Sequence, residues 1–454
     1  MRGASTAIGG PVGRHAWLGA RRSLAPALLL LGLACLTLSA GWLQKAPCRV
    51  HPWRAEYQYT RMCYSDVFAL YFSEGLVDGK TPYADHPVEY PVVIGGLMQA
   101  GSKLAGLWPQ PERPRRFFDV TALMLAGCGL VVVATTIGLA GRRRPWDAAM
   151  VALAPVLVLH AYTNWDLAAA ALTGLGLLAW ARGRPTWAGV WLGLGTATKL
   201  YPVLLLVPLF LLCLRVRRFA EFRRTVTAAA LAWLVVDLPI WVAYPSAFGR
   251  FYSLNQTRGA DWDSIWFALQ YLRGQPLDPN LATGATPRVL NAVVAVAFLA
   301  ALAGIGWLAL RAPARPRLAQ LAFLTLAAFL ISNKVFSPQY SIWLLPLAVL
   351  ARPRWRAFLA WQASEVFLLF LRFYFFVGQD KPGTGVPTGL FLTGVLLRDV
   401  ALAVLAGLVV RDILVPDGDV VRRSGYDDPA GGVLVSELVP VPAGRRLLRP
   451  APSG

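Results

Sequence analysis

Glu89–Trp108 reads EYPVVIGGLMQAGSKLAGLW, and whether it crosses a membrane sets the orientation of everything after it. The run is only moderately apolar, with Gln99, Ser102 and Lys103 along it. That pattern suits a helix lying in the membrane interface rather than a span. On this reading the next apolar run, Phe117–Ala140, delivers Arg142, Arg143 and Arg144 to the cytoplasm. The same side then receives Arg182 and Arg184, five arginines between Arg215 and Arg224, the group Arg311, Arg315 and Arg317, and the group Arg352, Arg354 and Arg356. The short connections on the other side carry Lys199, Lys334 and Lys381. Basic residues concentrate in cytoplasmic connections, so reading Glu89–Trp108 as a span would put the arginines on the wrong side.

The composition agrees with a membrane chain. Of 454 residues, 56% are hydrophobic and 15% charged, more apolar sequence than a soluble core of this size needs. The net charge of +20 invites a nucleic-acid partner. The basic residues lie in short clusters between apolar runs, however, which is the signature of membrane orientation instead. The expected fold is an all-α polytopic bundle of about twelve spans. They are Leu24–Leu43, Phe117–Ala140, Pro145–His160, Asp166–Ala181, Thr186–Thr198, Tyr201–Leu214, Val226–Tyr244, Val289–Leu310, Leu318–Ser332, Tyr340–Leu350, Trp355–Val377 and Gly389–Val410, several of them short or tilted. The first reads as a retained anchor, the alternative being a signal peptide cleaved near Ala40. Residues 1–22 are expected to be a disordered cytoplasmic start, 23–415 a membrane domain with outer segments 44–116 and 245–287, and 416–454 a flexible cytoplasmic tail. Both termini are then cytoplasmic.

The first outer segment holds the densest chemistry. Cys63–Pro91, CYSDVFALYFSEGLVDGKTPYADHPVEYP, carries Asp66, Glu74, Asp78, Asp85, His86 and Glu89 interleaved with Tyr64, Tyr71, Phe72, Tyr83 and Tyr90. Aromatic faces suit sugars, and a carboxylate can act as a general base. The plainer reading is a solvated loop with an interfacial aromatic belt. Asp66 is the preferred base, because Val67, Phe68 and Leu70 follow it in a short amphipathic helix. Glu89 is the competitor. Each of the two is also placed to cap a helix.

Other polar groups gather at the same face. Asn164 and Asp166 lie in the turn after His160, Lys199 in Thr-Lys-Leu-Tyr-Pro, and Lys334 in Lys-Val-Phe-Ser-Pro-Gln-Tyr. Arg258 and Asp263 lie in the second outer segment, and Arg372 near an outer helix end. Ionisable groups at membrane depth usually face a cavity or a partner. Lys199, Lys334 and Arg372 are candidates to hold a lipid phosphate. The competing reading makes the lysines snorkel to the interface and pairs Arg372 with Glu365. Glu89, Tyr90, Asn164, Asp166, Arg258, Asp263 and Gln339 form the candidate substrate-binding set. Asp237, Arg398 and Asp399 read as packing pairs. Cys48 and Cys63 are the cysteines outside apolar runs, both on the oxidising side, and are expected to form a disulfide.

Walker, dinucleotide-binding, HExxH and paired CxxC signatures are missing from the sequence. A cytoplasmic nucleotide-sugar donor would call for a soluble nucleotide-binding domain, and none is present. A lipid-carried donor used on the outer face fits better.

At this point the motifs resemble a known family. They are Cys-Tyr-Ser-Asp ending at Asp66, Gly-Lys-Thr-Pro-Tyr around Pro82, Val-Glu-Tyr-Pro at Glu89, Asn164-Trp-Asp166, Ala-Thr-Lys-Leu-Tyr-Pro at Lys199, Arg258-Gly with Asp263-Ser-Ile-Trp, and Lys334-Val-Phe-Ser-Pro-Gln-Tyr. In this order they resemble glycosyltransferase family 87 of the GT-C superfamily, the polyprenyl-phosphate-mannose-dependent mannosyltransferases of actinobacteria. The resemblance implies a GT-C fold, an active site at the outer leaflet and Asp66 as base. Lys199 and Lys334 are then the donor-phosphate ligands. Together with the residue reading, it leads to an inverting transfer of a sugar, mannose before arabinose, from a polyprenyl monophosphate to a glycan or glycolipid acceptor. No cofactor is required, and carboxylates beside a phosphate leave room for a divalent cation. The acceptor does not transfer from the resemblance. The rivals are a polytopic transporter or flippase, which would show repeats and polar groups at mid-membrane, and a non-catalytic scaffold.

Overall fold

Apolar runs bounded by proline, glycine and arginine fold as helices throughout. The computed structural model describes residues 24–50, 56–282 and 284–435, and among them there is no strand. The expected start at 1–22 and the end of the tail lie outside the described residues. Among the described residues six helices are long and apolar enough to cross a membrane: Ala25–Val50, Gln110–Ala140, Phe219–Ala243, Arg288–Arg311, Trp355–Asp380 and Thr388–Leu414. Four shorter apolar helices accompany them: Asp166–Ala181, Tyr201–Val216, Leu318–Ser332 and Pro338–Ala351.

Short and long helices have different positions, for a physical reason. Every residue of the helix Ser341–Ala351 is buried, and Leu318–Ser332 is buried along most of its length. A helix sheathed by other helices has no need to match the bilayer itself. Leu318–Ser332 spans about 22 Å at 1.5 Å per residue, against ~30 Å of hydrocarbon. The longer Phe219–Ala243 and Arg288–Arg311 instead turn Val235, Val242, Val296 and Leu299 outward, as a lipid-facing surface would. Between Pro185–Thr196 and Phe219–Ala243, Gly189 and Gly193 bring the backbones together. A Cβ at either would run into the Thr225 or Ala229 carbonyl.

The first outer segment is tied to this bundle. Helix Ala25–Val50 runs six residues beyond Gln44, the expected loop start, and a Cys48–Cys63 disulfide joins its end to the strand-like approach to Asp66. Short helices Tyr57–Thr60 and Asp66–Ser73 follow, then Val92–Ala105, which packs on Arg113–Ala140. The second outer segment supplies helices Pro245–Thr257 and Ile265–Arg273.

The tail departs from expectation. Residues 416–435 are packed, not flexible. Asp419 pairs with buried Arg317 at 2.7 Å, Asp428 accepts the Leu318 N–H at 2.8 Å, and Trp180 Nε1 donates to Gly431 O at 3.0 Å. Arg143 donates to Ser424 O at 2.9 Å, and Arg315 pairs with Asp427. Val421, Ala430 and Leu434 are buried beneath. The acidic residues of this segment find the arginine-rich helix ends, and that complementarity holds it down.

Candidate active site

A cavity of about 600 Å³ opens where the first outer segment, the turn after His160 and the segment around Gln339 converge. Asp66 lines it, at the first turn of Asp66–Ser73. Ser65, not Asp66, caps that helix: its Oγ accepts the Val67 N–H at 3.2 Å and donates to Tyr162 O at 2.7 Å. The Asp66 N–H donates to Thr163 O at 2.7 Å, so the residue is pinned through its backbone while its carboxylate faces the cavity. Glu89 does not cap a helix either; Pro91 holds the N-cap position of Val92–Ala105, and Glu89 lines the same cavity. Burial, with Asp66 adding to it, holds the Glu89 carboxyl above its usual range.

Asn164 is the hub. Its Nδ2 donates to Asp66 Oδ2 and to Tyr90 Oη, both at 2.7 Å. Its Oδ1 accepts from Lys199 Nζ at 3.2 Å and from the Trp165 N–H at 2.7 Å. Gln339 Nε2 adds a longer 3.4 Å contact to Asp66 Oδ2. Lys199 lies 4.5 Å from the Tyr90 ring centre. Trp343 stacks between Tyr201 (4.5 Å) and Tyr340 (4.0 Å) and donates to Asp166 Oδ1 at 2.8 Å. The Asp66 carboxylate is also the main reason the Tyr64 hydroxyl is held above its usual range.

The sequence-expected residues separate into two layers. Asp66, Glu89, Tyr90, Asn164, Lys199, Arg258, Gln339 and Arg372 line the cavity. Asp166 and Asp263 stand behind it. Asp166 is 3.5 Å from Lys199, and Asp263 pairs with Arg372 at 2.8 Å. Arg372 therefore has Asp263 as its partner, while Glu365 is engaged by Ser341 and Trp361. Arg398 pairs with Asp399 and donates to the Phe336 and Asp263 carbonyls, tying two cavity-forming segments together.

Lys334 corrects an expectation. Its ammonium does not line the cavity. It donates to Arg258 O at 2.7 Å, Asn291 Oδ1 at 2.6 Å and Gln256 O at 3.3 Å, and burial pushes it down to about 8. Its neighbours saturate its three donors, leaving none for a phosphate. What it holds in place is the loop that presents Arg258.

Sequence reasoning missed His160, Tyr59, Tyr340 and Lys45. Lys45, in the first helix, is buried and donates to Tyr64 O at 2.9 Å, with Asp66 as its charged neighbour. An annex of about 140 Å³ adjoins the cavity, sharing Glu89, Tyr90, Lys199 and Arg258 with it and adding Phe251, Phe329 and Val335. Among the described residues no three His, Cys, Asp or Glu side chains converge as metal ligands.

Residues 114–338 match the model of glycosyltransferase family 87. No curated protein matches the sequence. Asn164, Lys199 and Arg258 fall within the matched residues; Asp66, Glu89, Gln339 and Arg372 fall outside them and join the site through the fold. Through residues 114–338 the chain belongs to glycosyltransferase family 87: it is a glycosyltransferase whose apolar helices are those of a multi-pass membrane protein.

Proposed function

We propose that this protein transfers a sugar, mannose in the first instance, from a polyprenyl monophosphate to a hydroxyl of a glycan or glycolipid, with inversion. The observation that carries the reading is one amide, Asn164, holding a carboxylate at 2.7 Å and an ammonium at 3.2 Å inside one cavity. A base and a cation set side by side suit a displacement in which one bond to the sugar forms as another breaks.

Asp66 takes the proton of the acceptor hydroxyl. The acceptor oxygen attacks the anomeric carbon, and the carbon–oxygen bond to the phosphate breaks with its electron pair leaving on the phosphate. Lys199 and Arg258 stabilise the polyprenyl phosphate released, a charge term that often dominates catalysis. The products are the extended glycoside and the lipid phosphate, with the proton left on Asp66. No metal has a required role in these steps.

For the membrane, the reading is about twelve crossings with both termini cytoplasmic, Val92–Ala105 in the outer interface and the cavity on the extracytoplasmic face. The arginine distribution supports it, as does the packing of 416–435 on the arginine-rich ends. The test is transfer of radiolabel from polyprenyl-phosphate-[¹⁴C]mannose to extracted glycolipids in membranes carrying the protein. Asp66→Asn is expected to insert normally and to lose about 10²–10⁴-fold in turnover. Near-normal turnover in Asp66→Asn would remove the base assignment. Labelling from the arabinose donor alone would change the sugar.

A further inference from the structure

Helices Ala25–Val50 and Arg113–Ala140 leave an apolar groove of about 650 Å³ between them. Leu38, Ala122, Ala126 and Leu130 are among its walls, and the buried Tyr162 closes its inner side. It shares no lining residue with the cavity around Asp66. Both helices are long and apolar enough to cross a membrane, and Leu43 and Leu123 stand exposed at the groove's mouth, so its open side meets hydrocarbon.

The length of the groove says what fills it. Along the first helix it runs from Cys35 to Leu43, about 12 Å at 1.5 Å per residue. Along the second it runs from Asp119 to Leu130, about 16 Å on the same rise. One leaflet supplies half of the ~30 Å of hydrocarbon. A spanning helix of a partner would need contact through both leaflets, whereas an acyl chain needs only one.

The polar end selects the head group. Asp119 ends the groove, where it accepts from Trp42 Nε1 at 3.3 Å and pairs with Arg49 at 2.6 Å, so those two charges cancel. Four residues earlier, one turn nearer the helix end on the same face, stands Arg115. It is exposed and has no ion-pair partner among the described residues, whereas its neighbour Arg116 is held by Glu112 at 2.8 Å. The groove therefore ends in a positive charge beside a tryptophan, a residue suited to head-group level. Basic sites between membrane helices recognise anionic lipids.

We propose that this groove seats one acyl chain of an anionic phospholipid, with the lipid phosphate at Arg115 and the chain running from Trp42 toward Cys35 and Leu130. The lipid is a fixture rather than a substrate, and the site is independent of the glycosyl-transfer reading. Its inner wall belongs to the turn that holds Asp66: Tyr162 O accepts from Ser65 Oγ at 2.7 Å, and Thr163 O accepts the Asp66 N–H at 2.7 Å. A chain in the groove backs that turn from the membrane side.

The test is photo-crosslinking of the full chain in phosphatidylcholine nanodiscs. The probe is a trace of phosphatidylglycerol or of phosphatidylcholine, each with the same diazirine-bearing acyl chain, and labelled peptides are read by mass spectrometry. In wild type, phosphatidylglycerol is expected to label residues 35–43 and 119–130 about fivefold more than phosphatidylcholine does, the preference one basic residue gives. Arg115→Gln is expected to equalise the two lipids. A Cβ at Gly127, which lines the groove, would meet nothing within 4 Å, so Gly127→Leu fills the groove without a clash and is expected to lose most of that labelling. Equal labelling of wild type by the two lipids would overturn the proposal. So would groove labelling no denser than that on helix Phe219–Ala243, or a preference that survives Arg115→Gln. If Gly127→Leu is not monodisperse, the wild-type comparison and Arg115→Gln decide alone.

Discussion

Lys199 Nζ lies 3.5 Å from Asp166 Oδ1, and the carboxylate behind it is fully buried. With Asn164 and the Tyr90 ring on its other sides, the ammonium cannot snorkel to an interface; it is a fixed charge. Lys199→Ala is expected to lower kcat/KM for the polyprenyl-phosphate donor about 10²–10³-fold, the loss typical of a transition-state charge ligand. The acceptor KM should stay within about twofold. Asp166→Asn keeps an acceptor for Trp343 and should cost only about tenfold. Steady-state kinetics with each substrate varied in turn would check both, and an unchanged donor kcat/KM in Lys199→Ala would refute the assignment.

Lys334 and Arg258 should behave differently, although both are basic and near the site. Arg258→Ala removes a cavity cation and is expected to raise the donor KM with little effect on thermal stability. Lys334→Met leaves two carbonyls and Asn291 Oδ1 without their donor, so it should lower the melting temperature and impair both substrates together. A thermal-shift assay beside the kinetics separates the two. A Lys334→Met protein with wild-type stability and a purely donor-side defect would restore the phosphate role.

The Cys48–Cys63 bond closes a short loop three residues before Asp66. Removing a native disulfide closing a loop of this length costs ~3 kcal/mol in the chain-entropy model. Cys48→Ala/Cys63→Ala is therefore expected to melt earlier and to lose transfer as Tyr59 and Asp66 loosen. Retained stability and turnover in the double variant, measured on the same preparation, would show the bond to be dispensable.

Glu74 supplies a pH signature. Burial pushes its carboxyl up to about 7, with His86 Nε2 3.3 Å away. A carboxyl raised on folding binds its proton more tightly in the folded state than in the unfolded one. Its contribution to stability is thus fully present below the unfolded value of about 4.5 and is lost as pH rises toward 7. Glu74→Gln should flatten the fall in melting temperature between about pH 5 and 7. If wild type and variant run parallel across that range, Glu74 is not the group responsible.

The helices were legible because apolar runs and their breakers are local features. The disulfide was legible because topology leaves only Cys48 and Cys63 outside the apolar runs. Asp66, Asn164, Lys199, Tyr90 and Gln339 could be collected at one face from where helix ends fall. Side-chain direction was not legible. Nothing in Lys-Val-Phe-Ser-Pro-Gln-Tyr says that Lys334 turns back to carbonyls 76 and 78 residues earlier in the chain. The tail was misread because Pro, Gly, Asp and Arg also make up solvated sequence, and only the fold shows those aspartates meeting arginines from distant helix ends. His160 was passed over because a histidine in an apolar turn has no local mark of the cavity it lines.

The short helices at the centre of the bundle have one more consequence. The helices Arg288–Arg311 and Thr388–Leu414 have 24 and 27 residues, against 15 and 11 in the buried Leu318–Ser332 and Ser341–Ala351, so the centre of the bundle is built from its shorter members. On the glycosyl-transfer reading proposed above, a lipid-borne sugar would reach the cavity with its chain still in hydrocarbon. Water is the competing nucleophile for an activated glycosyl group. On that same reading, a donor held from the hydrocarbon side would keep its glycosyl bond from water until the intended hydroxyl is in place.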